Sequence, residues 1–256
     1  MVRYKGGMAD RVALVTGANT GIGLAIAERL LADGYALGYA TADGEKRNEG
    51  PLAELHGRYG HRIHRVSGDL SDPAVPGQLV AETVTAHGRL DVLVNNAGLS
   101  TAKPFLDLTA ADFDLTFEID VRGSFLLAQA AARRMLDGGG SIVNITSVHE
   151  HIPRPDFSVY AAAKAALGML SRNLALELAQ FDIRVNSVAP GVIATPRNEA
   201  DAEKLDPEVP LGRPGRPEEV AALVAWLCSG EATYVTGSSY VIDGGMIQQV
   251  VTAPAG

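Results

Sequence analysis

The sequence is poor in cysteine, in basic residues and in long apolar runs, and each shortage excludes a class of protein. Cys228 is the only cysteine among the 256 residues, so an internal disulfide is impossible and a reducing compartment, the cytoplasm, is expected. Lysine and arginine number 22 against 30 acidic residues, a net charge of −8, which argues against a nucleic-acid-binding surface. No apolar run approaches the roughly 18 residues of a membrane span, so neither nucleic acid nor membrane is an expected partner.

The remaining composition is typical of a globular protein with a large core. Apolar residues make up 46% of the chain and charged residues 20%, a balance found in soluble folded domains. The first residues are partly basic but contain no apolar stretch of the signal-peptide type. We expect residues 1–9 to be a disordered extension and residues 10–256 to form one domain. Cys228 lies in an apolar helical segment, where it is expected to be a small buried hydrophobe.

Strand patterns and helix patterns alternate along the whole chain, which predicts an α/β fold with a doubly wound parallel sheet and helices on both of its faces. Strands are predicted at 11–17, 35–40, 63–67, 90–96, 141–146, 183–189 and 240–242. Helices are predicted at 22–30, 45–59, 73–87, 109–135, 158–179 and 217–227. Residues 195–216 are polar, proline-rich and irregular, which suggests a mobile lid.

A glycine cluster follows the first predicted strand, in the segment Thr16-Gly-Ala-Asn-Thr-Gly-Ile-Gly23. Glycines at this point allow the backbone to approach a pyrophosphate at the amino terminus of the next helix. The spacing G-x3-G-x-G differs from the G-x-G-x-x-G dinucleotide fingerprint, but its place after the first strand favours dinucleotide binding. The turn residues assigned to the cofactor are Gly17, Asn19, Thr20, Gly21, Ile22 and Gly23.

Two further strand ends supply candidate cofactor residues. The fourth strand ends in Asn96, Ala97 and Gly98, and the third in Asp69 and Leu70. Asp69 would either contact the cofactor or cap the following helix.

The second strand ends without an acid, at Ala40 and Thr41, and Asp43 follows it slightly late. A carboxylate at the strand end would bind a ribose 2′-hydroxyl and repel a 2′-phosphate. The missing acid and the nearby Lys46 and Arg47 therefore predict NADP, with NAD as the alternative.

The candidate chemistry lies between residues 147 and 164. Lys164 follows Tyr160 by four residues, so on a helix the ammonium and the phenol share one face. A cation there favours the phenolate, which makes the phenol a usable general acid or base. Ser147 follows an apolar strand and lies at its carboxyl end, where open α/β sheets bind their ligands.

Taken together, these motifs resemble the short-chain dehydrogenase/reductase family over residues 10–245. The matching segments, in order, are Thr16-GANTGIG, Asn95-NAG, Ser147 with Tyr160-AAAK, Asn186-SVAPG and Asp243-GG. The resemblance implies a Rossmann-type sheet, a nicotinamide cofactor and a homotetramer. It also implies that Ser147 holds the substrate oxygen, Tyr160 transfers the proton and Lys164 binds the nicotinamide ribose. The implied carboxamide-binding residues are Pro190, Gly191, Ile193 and Thr195.

Within that family, the segments SVHEHIP and AAWLCSGEATYVTG, with the closing DGGM, are most similar to bacterial glucose 1-dehydrogenases. In those enzymes the residues after the serine face the sugar, which implies substrate-binding roles for His149 and Glu150. Both side chains can hydrogen-bond several hydroxyls. The alternative is that they are polar loop residues without such a role.

One position departs from the family, which usually has Asn where this chain has Asp120. In the family, that Asn completes a proton relay to the lysine. We therefore include Asp120 among the catalytic candidates. If the relay uses the backbone carbonyl, the change is nearly harmless. If it uses the side-chain amide, turnover suffers, because an ionised Asp only accepts hydrogen bonds.

The predicted function is NAD(P)-dependent hydride transfer between the nicotinamide and a secondary alcohol or carbonyl, with glucose or a related polyol as leading substrate. A 3-oxoacyl thioester reductase or general carbonyl reductase is the alternative enzyme. A weakly catalytic NADP-binding sensor or structural protein is the alternative from another class. No metal site is predicted.

Overall fold

All the strands that the structure describes belong to one parallel sheet. The computed structural model describes residues 11–42, 49–196, 198 and 209–249, so the predicted extension at 1–9 lies outside the described residues. The sheet has the order β3-β2-β1-β4-β5-β6-β7. Its strands are β1 Val12–Thr16, β2 Ala36–Thr41, β3 Ile63–Ser67, β4 Val92–Asn95, β5 Gly140–Ile145, β6 Ile183–Pro190 and β7 Ser239–Ile242.

Helices cover both faces of this sheet. They are α1 Gly21–Ala32, α2 Glu49–Tyr59, α3 Val75–His87, α4 Ala110–Phe117, α5 Ser124–Met135, α6 Ser158–Leu178 and α7 Pro217–Cys228. One apolar cluster contains Ile26 of α1, Leu55 of α2 and Val224 of α7. A second contains Leu79 of α3 and Leu127 of α5. The central strands are buried along their whole length, as parallel strands between two helix layers are. The doubly wound α/β prediction is confirmed.

The predicted helix at 109–135 is wrong in one respect. A capping box formed by Thr109 and Asp112 begins α4, as predicted, but a π-helical segment, Glu118–Gly123, separates α4 from α5. Each residue of a π-turn occupies a smaller arc, so the segment rotates the following side chains. Asp120 lies inside it and is fully buried.

The lid prediction falls mostly on residues that are not described. Residues 197 and 199–208 lie outside the described part of the chain, as do 45–48 of the predicted second helix. The described remainder of 195–216 contains turns and one isolated bridge between Ile193 and Gly215. That the segment is a lid stays a prediction.

Two buried arginines fasten the amino edge of the sheet to the end of α7. Arg184, in β6, donates to the carbonyls of Leu227 (2.7 Å) and Ser229 (3.3 Å). Arg11 donates to the Tyr35 hydroxyl (3.0 Å), which donates to the Cys228 carbonyl (3.2 Å).

The Cys228 side chain is fully buried, and burial raises the pKa of its thiol to about 12. It is therefore a packing residue, as predicted. Among the described residues, none of the helices has the length and apolar character needed to cross a membrane.

The strand order reverses beside β1, which pairs with β2 on one side and β4 on the other. A crevice opens at the carboxyl ends of the strands at such a reversal, because the connecting helices diverge to opposite faces. The predicted site residues come from strand ends, loops and helical segments at this edge.

Candidate active site

The turn between β1 and α1 has a conformation that only glycines allow. Gly17 and Gly21 have positive φ values of +62° and +54°, where side chains are disfavoured. A Cβ on Gly23 would lie 2.1 Å from the Gly17 carbonyl oxygen. Helix α1 begins at Gly21, so its unpaired amides and the positive end of its dipole are at the crevice. The turn is suited to hold a phosphate.

Asn96, at the end of β4, holds this turn in place. Its side-chain amide donates to the carbonyls of Thr16 (3.0 Å) and Gly17 (3.2 Å). The Thr16 hydroxyl accepts from the backbone N–H groups of Asn96 and Ala97, both at 3.0 Å. The sequence assigned Asn96 to cofactor binding, and the structure adds that it ties β4 to the glycine turn.

Two adjoining cavities of about 320 and 230 Å³ occupy the crevice and share Ile22, Asn96, Gly98, Leu99 and Thr195 in their walls. We call them the nucleotide cavity and the catalytic cavity. Predicted residues in the wall of the nucleotide cavity are Gly17, Asn19, Thr20, Gly21, Ile22, Gly23, Thr41, Asp69, Leu70, Asn96, Ala97, Gly98 and Thr195. Those in the wall of the catalytic cavity are Ser147, Tyr160, Lys164, Pro190, Gly191, Ile193 and Thr195.

The buried Lys164 forms an ion pair with Asp120. The Lys164 Nζ lies 3.0 Å from Oδ2 of Asp120 and donates to the Ile145 carbonyl at 3.3 Å. Oδ1 of Asp120 accepts from the Leu99 backbone N–H at 2.7 Å. Burial disfavours the ammonium form, but Asp120 and Tyr160 outweigh it and hold the pKa of Lys164 above its ordinary value. Lys164 is therefore charged.

These contacts bear on the two predicted alternatives for Asp120. Its side chain faces Lys164 directly, and both carboxylate oxygens point at donors. The neighbouring Gly98 has no room for a side chain, since a Cβ would lie 3.0 Å from Lys164 Nζ. The structure therefore brings Asp120 into the catalytic cluster through its carboxylate.

Tyr160 lies among aromatic rings at the edge of the catalytic cavity. The Lys164 Nζ is 5.5 Å from the centroid of the Tyr160 ring. The His149 ring is 6.2 Å and the Phe157 ring 5.9 Å from it. Burial lowers the pKa of His149, partly offset by its contact with the Ile152 carbonyl. A neutral imidazole beside the phenol suits hydrogen bonding to an uncharged substrate.

Ser147 is in the position predicted for it, directly after β5. It is buried, lies in the wall of the catalytic cavity with Tyr160 and Lys164, and its hydroxyl accepts from the His149 backbone N–H at 3.2 Å. The hydroxyl hydrogen remains available for a substrate oxygen. Three of the four predicted catalytic residues therefore share one cavity, and the fourth, Asp120, contacts Lys164 from outside its wall.

Glu150 is not among the residues in the wall of the catalytic cavity, which argues against its predicted role as a substrate ligand. Its Oε2 accepts from the hydroxyls of Thr146 (2.8 Å) and Ser239 (3.1 Å), and its Oε1 from Arg172 (3.2 Å). The carboxylate packs on Gly168, where a Cβ would lie 2.2 Å from Oε1. Its side chain is only 3% exposed. Internal donors saturate this carboxylate, which fastens the loop after β5 to α6 and β7.

Two predictions at the nucleotide cavity are sharpened. Asp69 accepts from the Ser71 N–H (2.8 Å), but α3 begins at Val75 with Ala74 as its N-cap, so the helix-capping alternative is wrong. Thr41, at the end of β2, is buried, and its hydroxyl has no hydrogen-bond partner within the described ranges. A partnerless buried hydroxyl is costly unless a ligand satisfies it.

Sequence reasoning missed Asn198 in the wall of the catalytic cavity. Its Oδ1 accepts from the backbone N–H (2.9 Å) and the hydroxyl (2.7 Å) of Thr195, and its Nδ2 donates to the Ile193 carbonyl (3.1 Å). Asn side chains commonly hydrogen-bond to nearby backbone groups in turns. That tendency was the only sequence signal that could have pointed to Asn198. Other wall residues that the sequence did not assign include Leu99, Ser100, Ile119 and Thr146.

The described residues fit a nicotinamide dinucleotide. The glycine turn is packed so closely that Gly23 cannot carry a Cβ, α1 presents its amino terminus at the crevice, and Thr41 has a hydroxyl without a partner in the part of the chain described. The described residues contain no cluster that could hold a metal ion.

Comparison with known proteins agrees with this geometry. The family model described as enoyl-(acyl carrier protein) reductase matches residues 17–247. An acetoin dehydrogenase structure from Enterobacter cloacae is 45% identical, with a TM-score of 0.87, covering 96% of this chain and 99% of that one. A blue fluorescent protein from a metagenomic library, in complex with NADPH, is 37% identical, with a TM-score of 0.85 and coverage of 92% and 97%.

The chain belongs to the short-chain dehydrogenase/reductase family and is an NAD(P)-dependent oxidoreductase acting on CH–OH groups. The predicted likeness to bacterial glucose 1-dehydrogenases is confirmed as a likeness. The enzyme of that name from Gluconobacter oxydans is 37% identical over 253 residues, covering 95% of this chain and 94% of its own length.

Proposed function

We propose that the chain interconverts a small secondary alcohol and its ketone, with vicinal hydroxy ketones and diketones as the preferred substrates and NADP as the preferred cofactor. The observation that carries the proposal is the catalytic cavity, where Ser147, Tyr160 and the charged Lys164 line one space of about 230 Å³.

The proposed chemistry divides among these residues. Bound nicotinamide dinucleotide supplies the hydride acceptor or donor. In oxidation the Tyr160 phenolate takes the hydroxyl proton while the carbinol carbon loses hydride and becomes a carbonyl. In reduction the Tyr160 phenol gives its proton to the developing alkoxide. Ser147 donates a hydrogen bond to the substrate oxygen in both directions, and Lys164 stabilises the phenolate.

The polar groups around the cavity favour a small substrate over a hexose. Glu150 is occupied by Thr146, Arg172 and Ser239, which leaves His149 as the remaining predicted sugar contact. A ring with many hydroxyls would bury several of them without partners, and each unsatisfied group costs about 1–3 kcal/mol. The 45% identical acetoin dehydrogenase agrees with this choice.

Glucose or another polyol is the second candidate, favoured by His149 beside Tyr160 and by the Gluconobacter relative. Following NADPH absorbance with acetoin, diacetyl, glucose, simple ketones and a 3-oxoacyl thioester separates the candidates. Higher kcat/KM for acetoin or diacetyl than for glucose supports the proposal. A higher kcat/KM for glucose would show that the protein is a polyol dehydrogenase. A preference for the 3-oxoacyl thioester would favour the acyl thioester reductase, and inactivity with every substrate would favour the NADP-binding sensor.

The NADP preference rests on the end of β2. Ala40 and Thr41 lie in the wall of the nucleotide cavity and carry no carboxylate, so the described end of β2 offers no negative charge to repel a 2′-phosphate. The NADPH-bound relative agrees. The predicted contributors Lys46 and Arg47 lie outside the described residues. Titration with both cofactors tests the preference.

We also propose that the chain assembles as a homotetramer in the cytoplasm. Large apolar side chains are exposed on α4, α5 and α6, at Phe113, Phe125, Met169 and Leu176, and clustered exposed apolar surface is typical of subunit contacts. Sedimentation of the protein and of Leu176→Asp tests the assembly, with a smaller species expected for the variant. An unmodified protein that sediments as a monomer would rule it out.

A further inference from the structure

The charge beside the catalytic lysine is balanced inside the protein. Asp120 is fully buried and Lys164 is nearly so, and their charged atoms lie 3.0 Å apart. The other titratable groups near them are Tyr160, one turn earlier on α6, and His149, whose ring is 6.2 Å from the Tyr160 ring. Glu150, from the turn after β5, packs against Gly168, which is one turn further along α6 than Lys164, and is paired with Arg172.

The surroundings of Asp120 require a group that accepts at both ends. The Leu99 backbone N–H donates to Oδ1, and the Lys164 ammonium lies 3.0 Å from Oδ2 as an ion pair. Neither of these neighbours can accept a hydrogen bond. An asparagine would turn its own N–H₂ towards one of these donors, whichever way its amide is rotated. The site is therefore built for a carboxylate.

This arrangement changes the electrostatics of proton release. With Tyr160 protonated, Asp120 and Lys164 cancel and the cluster is neutral. Loss of the Tyr160 proton leaves a buried net charge of one negative unit. Without the carboxylate, the same step would convert a net positive cluster into a neutral one, which a buried site favours.

We propose that Asp120 is a positioning residue that neutralises Lys164 and thereby weakens the stabilisation of a Tyr160 phenolate, so that the enzyme is set for carbonyl reduction. The inference rests on the proposed proton transfer by Tyr160. The equilibrium constant of the overall reaction is fixed by its substrates and products, so Asp120 does not change it. What Asp120 sets is the pH range over which each direction is fast.

The test is the pH dependence of kcat/KM in both directions for the unmodified protein and for Asp120→Asn. Oxidation requires the phenolate and reduction the phenol, so removing the carboxylate should move both pH midpoints down by about one unit or more. Unchanged midpoints in a folded variant would overturn the proposal. Glu118→Gln is the matched control, because Glu118 lies in the same π-helical segment and pairs with the half-exposed Arg122. It should leave both midpoints in place.

A second measurement does not require Asp120→Asn to fold. The ultraviolet difference spectrum between the unmodified protein and Tyr160→Phe reports the phenolate directly. A phenolate signal that appears only well above neutral pH is the expected result, and a full phenolate signal at neutral pH overturns the neutralising role. These outcomes distinguish a failure of the proposed function from a failure of the proposed role of Asp120. An active Tyr160→Phe would remove the proposed function itself, whereas an inactive Tyr160→Phe with unshifted Asp120→Asn profiles would remove only the role of Asp120.

Discussion

The nucleotide cavity and the catalytic cavity adjoin but are built in different ways. The nucleotide cavity takes its shape from backbone, through Gly17, Gly21 and Gly23 and the amide of Asn96. The catalytic cavity takes its properties from buried charge, through Asp120 and Lys164. The first should therefore be sensitive to added atoms, and the second to removed atoms and removed charge.

The largest effect expected is that of removing one oxygen from the catalytic cavity. Tyr160→Phe deletes the group that transfers the proton, and turnover should fall by roughly 10²–10⁴-fold or more. The nucleotide cavity is untouched, so NADPH affinity, measured by fluorescence titration, should stay nearly constant. Appreciable turnover in this variant would show that another group moves the proton.

Next in size is the effect of Glu150→Ala. The substitution leaves the Thr146 and Ser239 hydroxyls and Arg172 without their acceptor, and hydrogen bonds to charged groups contribute about 1.5–3 kcal/mol. We expect a loss of unfolding free energy of that order in denaturant titrations.

The kinetics of the same variant test the corrected role of Glu150. Because its carboxylate faces the interior, KM for glucose and KM for acetoin should change by the same factor. A rise in KM for glucose alone would restore its role as a sugar ligand.

A single added methyl group should disrupt the nucleotide cavity. In Gly23→Ala the new Cβ meets the Gly17 carbonyl at 2.1 Å, and forced overpacking typically costs about 1–3 kcal/mol. The dissociation constant for NADPH should rise roughly tenfold to a hundredfold. Gly57→Ala is the control, because nothing lies within 4 Å of its new Cβ. Equal affinities in the two variants would contradict the backbone account.

The smallest effect is expected from adding a charge to the nucleotide cavity, whose properties otherwise depend on the shape of its backbone. Thr41→Asp places a carboxylate at the end of β2, and the ratio of NADP to NAD affinity should fall by roughly tenfold, a difference of about 1.4 kcal/mol. Thr41→Val is the matched control, since it removes the hydroxyl without adding charge. Tighter NAD binding by the unmodified protein would show that the predicted preference is wrong.

Most of the fold could be predicted from the sequence because its signals are local. Buried parallel strands are continuous apolar runs, and β3 at Ile63–Ser67 has the predicted bounds. The spacing of Gly17, Gly21 and Gly23 and the four-residue step from Tyr160 to Lys164 depend only on neighbours along the chain.

What could not be predicted depends on distant contacts. Nothing in the local sequence of Glu118–Gly123 indicates a π-helix, since the widened turn depends on packing. Arg122 donates to the Ser71 carbonyl from inside that segment. Glu150 looked like a substrate ligand because its partners Arg172 and Ser239 come from later elements. Asn198 was missed because its role depends on how the chain turns after Ile193.

The arginines at the amino edge of the sheet have a mechanical consequence. Arg184 and the Arg11–Tyr35 pair clamp the last turn of α7 to the bottom of β1 and β6, at the end of the molecule opposite the crevice. Because these hydrogen bonds lie away from the crevice, motions that open the crevice need not break them. We therefore expect the amide protons beside Leu227 and Ser229 to be among the slowest to exchange with solvent. Those around Thr195 should exchange early.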